Sequence, residues 1–274
     1  MITPATFRAA VVAMCFIVTP SVLVGQRQNA SEAKPVTIPL LLSQLQSTND
    51  STRARAFYAL LRGSRATIST NARIATKQLL IEHPQSAERI RVALIELLSK
   101  ENSRIFSNSP PTFSEWYGGY HGDLIVSVAT LKDGRAANAL LSAVSTGGAA
   151  VDGIASLGEP VLSKVVALHS SPKWEDRMGA ASILGAMSER RSDLSLSDAA
   201  IATIRTELLR LTTDTTLHVR QFSVRGLRSF EDDEVRARIE VLAQDSSDCS
   251  VRFGSRACPV KDEAGRWLAA HKRP

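Results

Sequence analysis

A basic residue followed by small or apolar residues three, six and seven places later recurs along this chain, and that spacing limits its fold more than any other feature. It stands in full as Arg177-Met178-Gly179-Ala180-Ala181-Ser182-Ile183-Leu184-Gly185. It returns as Arg220…Ser223…Gly226-Leu227, as Arg53…Ala56…Ala59-Leu60-Leu61 and as Arg91…Leu94…Leu97-Leu98. Residues so spaced share one face of a helix. Their return at intervals of tens of residues predicts stacked helical repeats in place of one closed globule. Only 5% of the chain is aromatic against 44% hydrophobic overall. Packing must therefore rest on Leu, Ala, Val and Ile, which suits helices in close contact. The charged share of 22% is ordinary and argues against disorder over most of the 274 residues.

Apolar periodicity predicts an all-α chain of about twelve helices. The first begins at Ile38-Pro39, where proline is tolerated in the opening turn. Asn49 or Asp50 caps the next, and a third covers 71–82 with Ile74, Gln78, Leu79 and Ile81 around its inner face. A helix over 86–98 carries the stripe Ile90, Leu94, Leu97, Leu98. Further helices are expected at 123–131, 135–144, 149–157, 161–168, 174–187, from Ser197 or Asp198 to 211, and at 216–230, 234–244 and 260–271. The acidic run Glu231-Asp232-Asp233-Glu234 reads as a helix start, where negative charge complements the dipole. No run alternates apolar and polar residues long enough for a sheet.

The stretch 101–122 breaks this rhythm. It holds Pro110-Pro111 and the rings Phe106, Phe113, Trp116, Tyr117 and Tyr120, and a connection of that length in a repeating array is often functional. Trp116, Tyr117, Tyr120 and His121, with Glu115 upstream, are the candidate binding residues, suited to a sugar or a peptidoglycan fragment. The competing reading tucks the rings against the repeats and makes Asp123 the cap of the following helix.

The N-terminus has the layout of a secretory signal peptide. Arg8 is the only charge before Arg27, an apolar run follows from Ala9 to Leu23, and small residues surround Gly25. Cleavage near Gly25 or Gln26 is expected, giving a signal peptide at 1–25, a polar leader at 26–36 and a repeat domain at 37–271. The alternative, a retained membrane anchor, needs about 20 apolar residues, and the run falls short. Met14 before Cys15 argues against lipid attachment. No other segment approaches membrane-spanning length. Loss of Arg8 takes the formal charge from +6 to +5, a weak bias, and no Lys/Arg cluster interleaved with aromatics points to nucleic acid.

Cys249 and Cys258 remain in the processed chain. In an oxidising compartment a close, even pair is most simply a disulfide. A metal site completed by Asp248 and His271 is the sharper alternative, but the spacing matches no zinc pattern. A calcium site at 231–234 lacks the required glycine and alternation. There is no HExxH, GxSxG, phosphate loop or GxGxxG, so no catalytic residue, metal or cofactor is expected.

The segments Asp176-Arg177…Ala180…Leu184-Gly185, Ala155-Ser156-Leu157-Gly158-Glu159-Pro160 with Leu162, Val219-Arg220…Gly226-Leu227 and Pro259-Val260-Lys261…Ala264…Leu268 resemble bacterial HEAT repeats of the PBS-lyase HEAT-like group. The resemblance runs from about Ile38 to His271 with a gap at the aromatic insertion. Between Arg91 and Arg177 no basic residue fills the expected place. It implies antiparallel helix pairs stacked into a right-handed, HEAT/armadillo-like α-solenoid that binds other proteins. Arg53, Arg91, Arg177, Arg220 and Lys261 are then structural: each sits at a helix start and can reach an Asp of a neighbouring repeat, for about 0–1 kcal/mol when exposed. Small residues such as Ala180 and Gly185 let the backbones approach. The expected function is that of a non-enzymatic scaffold, periplasmic or extracellular, with a protein partner in the cell envelope. The alternative is a glycan-binding protein or enzyme that uses 101–122.

Overall fold

A computed structural model describes residues 37–62, 71–105, 114–247, 249–252 and 255–272. The expected signal peptide and leader lie outside the described residues, as do Phe106, Pro110, Pro111 and Phe113. Thirteen α-helices fall among the described residues: α1 (Ile38–Leu45), α2 (Asp50–Arg62), α3 (Ala72–Glu82), α4 (Ala87–Ile105), α5 (Ser114–Thr130), α6 (Ala137–Ser142), α7 (Gly148–Ala155), α8 (Leu162–Ala167), α9 (Trp174–Glu189), α10 (Asp198–Leu211), α11 (Leu217–Gly226), α12 (Asp233–Gln244) and α13 (Pro259–Ala270).

The helices stack as an all-α solenoid. One row runs α2, α3, α5, α7, α9, α11, α13, each member packed on the next. Against it lie α1, α4 and α6, which also touch in succession, followed by α8, α10 and α12. A single apolar core runs through the stack, from Leu41 and Leu45 to Ala264 and Trp267.

Local chemistry accounts for the helix starts. The Asn49 side chain accepts from the Thr52 amide at 3.0 Å and the Asn71 side chain from the Arg73 amide at 2.8 Å. Ser197 caps α10 through the Ala200 amide, and Asp232 caps α12 through the Val235 amide. Each satisfies a backbone donor that the first helical turn leaves open.

Close approach of neighbours within the first row depends on residues without a β-carbon. A methyl group on Gly185 would lie 2.8 Å from the Gly226 Cα, and one on Gly153 would lie 2.6 Å from the Ala129 Cβ. Ser188 ties the same seam, its hydroxyl lying 2.8 Å from the Gly185 carbonyl and 3.1 Å from that of Gly226.

Three expectations are corrected. The rhythm does not break at residue 101: α4 continues to Ile105 and α5 begins at Ser114, so Asp123 lies inside a helix and caps nothing. On α3, Leu79 is buried, but Ile74 and Ile81 are 53% and 71% exposed. The i, i+7 pair marks an outward stripe, while Ala72, Ala75, Thr76 and Leu79 make the inner one. A short antiparallel hairpin, β1 (Ser250–Arg252) with β2 (Ser255–Ala257), precedes α13. It is too short for alternation to announce it. The Cys249–Cys258 disulfide joins the residues flanking it, and this leaves no thiols for the metal alternative.

Candidate functional site

The repeating arginine does something that its spacing alone does not reveal. Arg53 Nη1 donates to the carbonyls of Ser47 and Thr48, 2.9 and 3.0 Å away. Arg177 Nη1 donates to Ser171 and Pro172, and Arg220 Nη1 to Asp214 and Thr215. The acceptors are always six and five residues upstream. The guanidinium therefore holds the turn that leads into its own helix, satisfying carbonyls that the turn leaves without partners. The expected rung between repeats is present at Arg177, whose Nε and Nη2 meet Asp214 at 2.6 and 3.0 Å. Burial pushes the Asp214 carboxyl up, but the Arg177 and Thr216 hydrogen bonds outweigh it and hold the carboxyl below its ordinary value.

The other repeat positions differ. Arg91 donates to the Leu131 carbonyl at 3.0 Å, and Lys261 donates to the Ser246 hydroxyl at 3.2 Å. Arg53 turns inward: it is fully buried and its Nε reaches the equally buried Glu101 at 2.6 Å. Glu101 escapes the sequence reading because it falls in the supposed insertion. Its signal is nevertheless present, since Glu101 and Asn102 extend the stripe of Leu94, Leu97 and Leu98 by one more turn.

Two of the four candidate binding residues belong to this buried network. Tyr120 is 1% exposed, its ring 5.5 Å from that of Phe57, its hydroxyl 3.4 Å from Glu101 Oε1. His121 is 5% exposed, and its Nε2 lies 2.8 Å from Asn102 Oδ1. Burial holds the His121 imidazole below its ordinary pKa against the opposing pull of Glu101. A ligand stacking on Tyr120 or His121 would have to displace the core. Burial and the hydrogen bond from the Tyr58 hydroxyl to Asp123 (3.0 Å) push the Tyr58 phenol up. The side chains of Trp116 and Tyr117 lie outside the described residues.

An open groove of about 970 Å³ crosses α4, α6 and the start of α9. Its walls carry Ser99, Ser103, Asn138 and Ser142, and Lys173 and Glu175 stand at the α9 end. Ser99, Ser103 and Ser142 each give their proton to a carbonyl of their own helix, at 3.1, 3.0 and 3.0 Å. The hydroxyl oxygens are then left as acceptors. Asn138 accepts from Lys164 through its oxygen, which frees its amide hydrogens. The groove thus offers hydrogen-bond acceptors and donors side by side.

Neither a protein-family model nor a curated protein matches the sequence. Among solved structures the chain is similar to two engineered proteins from a structural genomics consortium. One is 19% identical with a TM-score of 0.42, over 85% of this chain and 95% of that one. The other is 18% identical with a TM-score of 0.40, over 85% and 97%.

Proposed function

We propose that this chain is an exported, non-enzymatic scaffold of the HEAT-like kind, binding an extended segment of a protein partner in the cell envelope. The groove over α4, α6 and α9 carries the proposal: it is open, spans several repeats and offers hydrogen-bonding groups of both kinds. The arginines and their carboxylates act as structural ties between turns and repeats. The Cys249–Cys258 disulfide supports an oxidising compartment, as does the apolar run at 9–23. Among the described residues no helix is long and apolar enough to cross a membrane.

Crosslinking in the native envelope followed by mass spectrometry tests this reading. A defined partner is expected, lost when Lys173→Glu and Glu175→Lys are introduced together. Recovery of nothing specific, or equal recovery by the variant, sinks it. The glycan alternative rests on Trp116 and Tyr117. It requires fluorescence changes on adding cell-wall glycans that Trp116→Ala abolishes.

A further inference from the structure

At the C-terminal end of the stack, three arginines converge on one carboxylate. Arg225 comes from α11, Arg228 from the 3-10 turn that follows it and Arg266 from α13; all three side chains are about half exposed, and Glu263 beneath them is fully buried. Arg266 Nη2 lies 2.5 Å from Glu263 Oε2, Arg225 Nη2 lies 3.5 Å from the same oxygen, and Arg228 Nη2 donates to Oε1. Burial alone would push the Glu263 carboxyl up, but the three guanidiniums reverse that and hold it below its ordinary value. Glu263 is thus an anion fixing three cations, and the cluster carries two net positive charges. Each guanidinium has five N–H donors and turns one amino group to Glu263, which leaves donors on each for a second anion.

Beside the cluster the Gly185–Gly226 seam opens to the surface as a notch of about 140 Å³, the scale of one apolar side chain. Ala181, Ala186 and Phe222 form its apolar walls, with Glu189 at its rim. Arg225 bridges notch and cluster, its guanidinium carbon 5.1 Å from the Phe222 ring centre. A polyanion such as nucleic acid would use a long basic stripe. Here the charge is focal and adjoins a socket for a side chain.

We infer that Arg225, Arg228 and Arg266, with the Phe222 notch, form a docking site for an acidic peptide segment bearing one apolar side chain next to its carboxylates. The inference rests on the scaffold reading and gives the partner its chemistry. Buried Glu263 pre-pays the ordering of the three guanidiniums, so a carboxylate meets donors already in place.

Fluorescence anisotropy with a labelled short peptide of Glu, Asp and one Leu, and with its Gln/Asn/Leu counterpart, tests the site on the whole chain. The acidic peptide should bind, the amide peptide should not, and affinity should fall steeply with salt. Arg225→Glu leaves Arg228 and Arg266 on Glu263 and should weaken binding about tenfold or more. Arg266→Gln, the gentler change, should weaken it measurably, with only a modest fall in melting temperature because Arg225 and Arg228 stay on Glu263. Equal binding of both peptides, or unchanged affinity in Arg266→Gln, overturns the site. So does Arg225-dependent binding to vesicles of anionic phospholipid without binding to the peptide. An envelope partner crosslinked equally by wild type and Arg225→Glu also overturns the site, and it leaves the scaffold reading standing. Peptide binding as expected with no specific crosslinked partner supports the site and overturns the scaffold reading.

Discussion

At Gly185 two helix backbones meet with no room between them. Replacing it with alanine gains about 1 kcal/mol of helix propensity. It also drives a methyl to 2.8 Å from the Gly226 Cα, and the obstacle is backbone, which cannot rotate away. Overpacking of that kind costs about 1–3 kcal/mol, and a rigid obstacle puts this site at the upper end. Gly185→Ala should therefore lower stability in urea denaturation. Gly265→Ala, where a methyl meets nothing within 4 Å, should raise it by about 1 kcal/mol. If both substitutions shift stability in the same direction, the seam is not what fixes residue 185. A second residue-scale case is the Arg53–Glu101 pair, with both side chains at most 1% exposed. Removing Glu101 leaves the buried Arg53 guanidinium with Asp50 alone, 2.9 Å from its Nη2, so Glu101→Ala should cost about 3 kcal/mol, the low end for a broken buried pair. Arg53→Met with Glu101→Leu should recover part of that loss. A cost of Glu101→Ala below about 1 kcal/mol would show that the pair reaches water.

Among the elements, α12 depends on a single carboxylate at its start. Asp232 caps the helix and pairs with Arg205, whose Nε and Nη2 lie 2.7 and 2.5 Å away. The Arg205 hydrogen bonds pull the carboxyl down from 3.8 to about 2. A depressed folded value means that the contribution is complete above the unfolded pKa and fades as pH falls from about 4 through about 2. Asp232→Asn should lower the melting temperature at neutral pH, with the gap to wild type closing over that acid window. A gap constant down to pH 2 would refute the linkage. The hairpin before α13 gives the second element-scale outcome: reducing Cys249–Cys258 should cost about 2–3 kcal/mol, since the closed loop is short. A non-reduced mass equal to that of the free thiols would show the bond absent from the isolated chain. The elements differ in how readable they were. Helices with an apolar stripe and a capping residue, such as the one that Ser197 opens, stand at their expected places because period and cap agree. The supposed loop at 101 was misread because Glu101 and Asn102 are polar residues on a buried face, and a pattern of apolar residues passes over them. Tyr120 and His121 looked like a site for the same reason, since sequence cannot tell a ring partnered with Phe57 or Asn102 from one facing solvent. The basic triad was equally hidden, because Arg225, Arg228 and Arg266 come together only when α13 stacks on α11.

For the whole molecule, contacts join neighbours in the stack and few others, so stability should be graded along it. Helix α9 lies between α7 and α11 with α10 alongside, and its Ala180, Ala181, Ile183, Leu184 and Met187 are completely buried. At one end α1 has only eight residues, no side-chain cap and Leu40 44% exposed. Amide exchange in native conditions should therefore be slowest in α9 and α11 and fastest in α1. The repeat arginines add to this gradient, because Arg177 and Asp214 tie α9 to the turn that Arg220 holds in the next repeat. Arg177→Ala should speed exchange in α9 and α11 and leave α1 to α3 unchanged, since no bond from Arg177 reaches them. Equal acceleration from α1 to α13 would mean that the stack opens as a single unit, and the rung would then be a local tie with no bearing on the gradient.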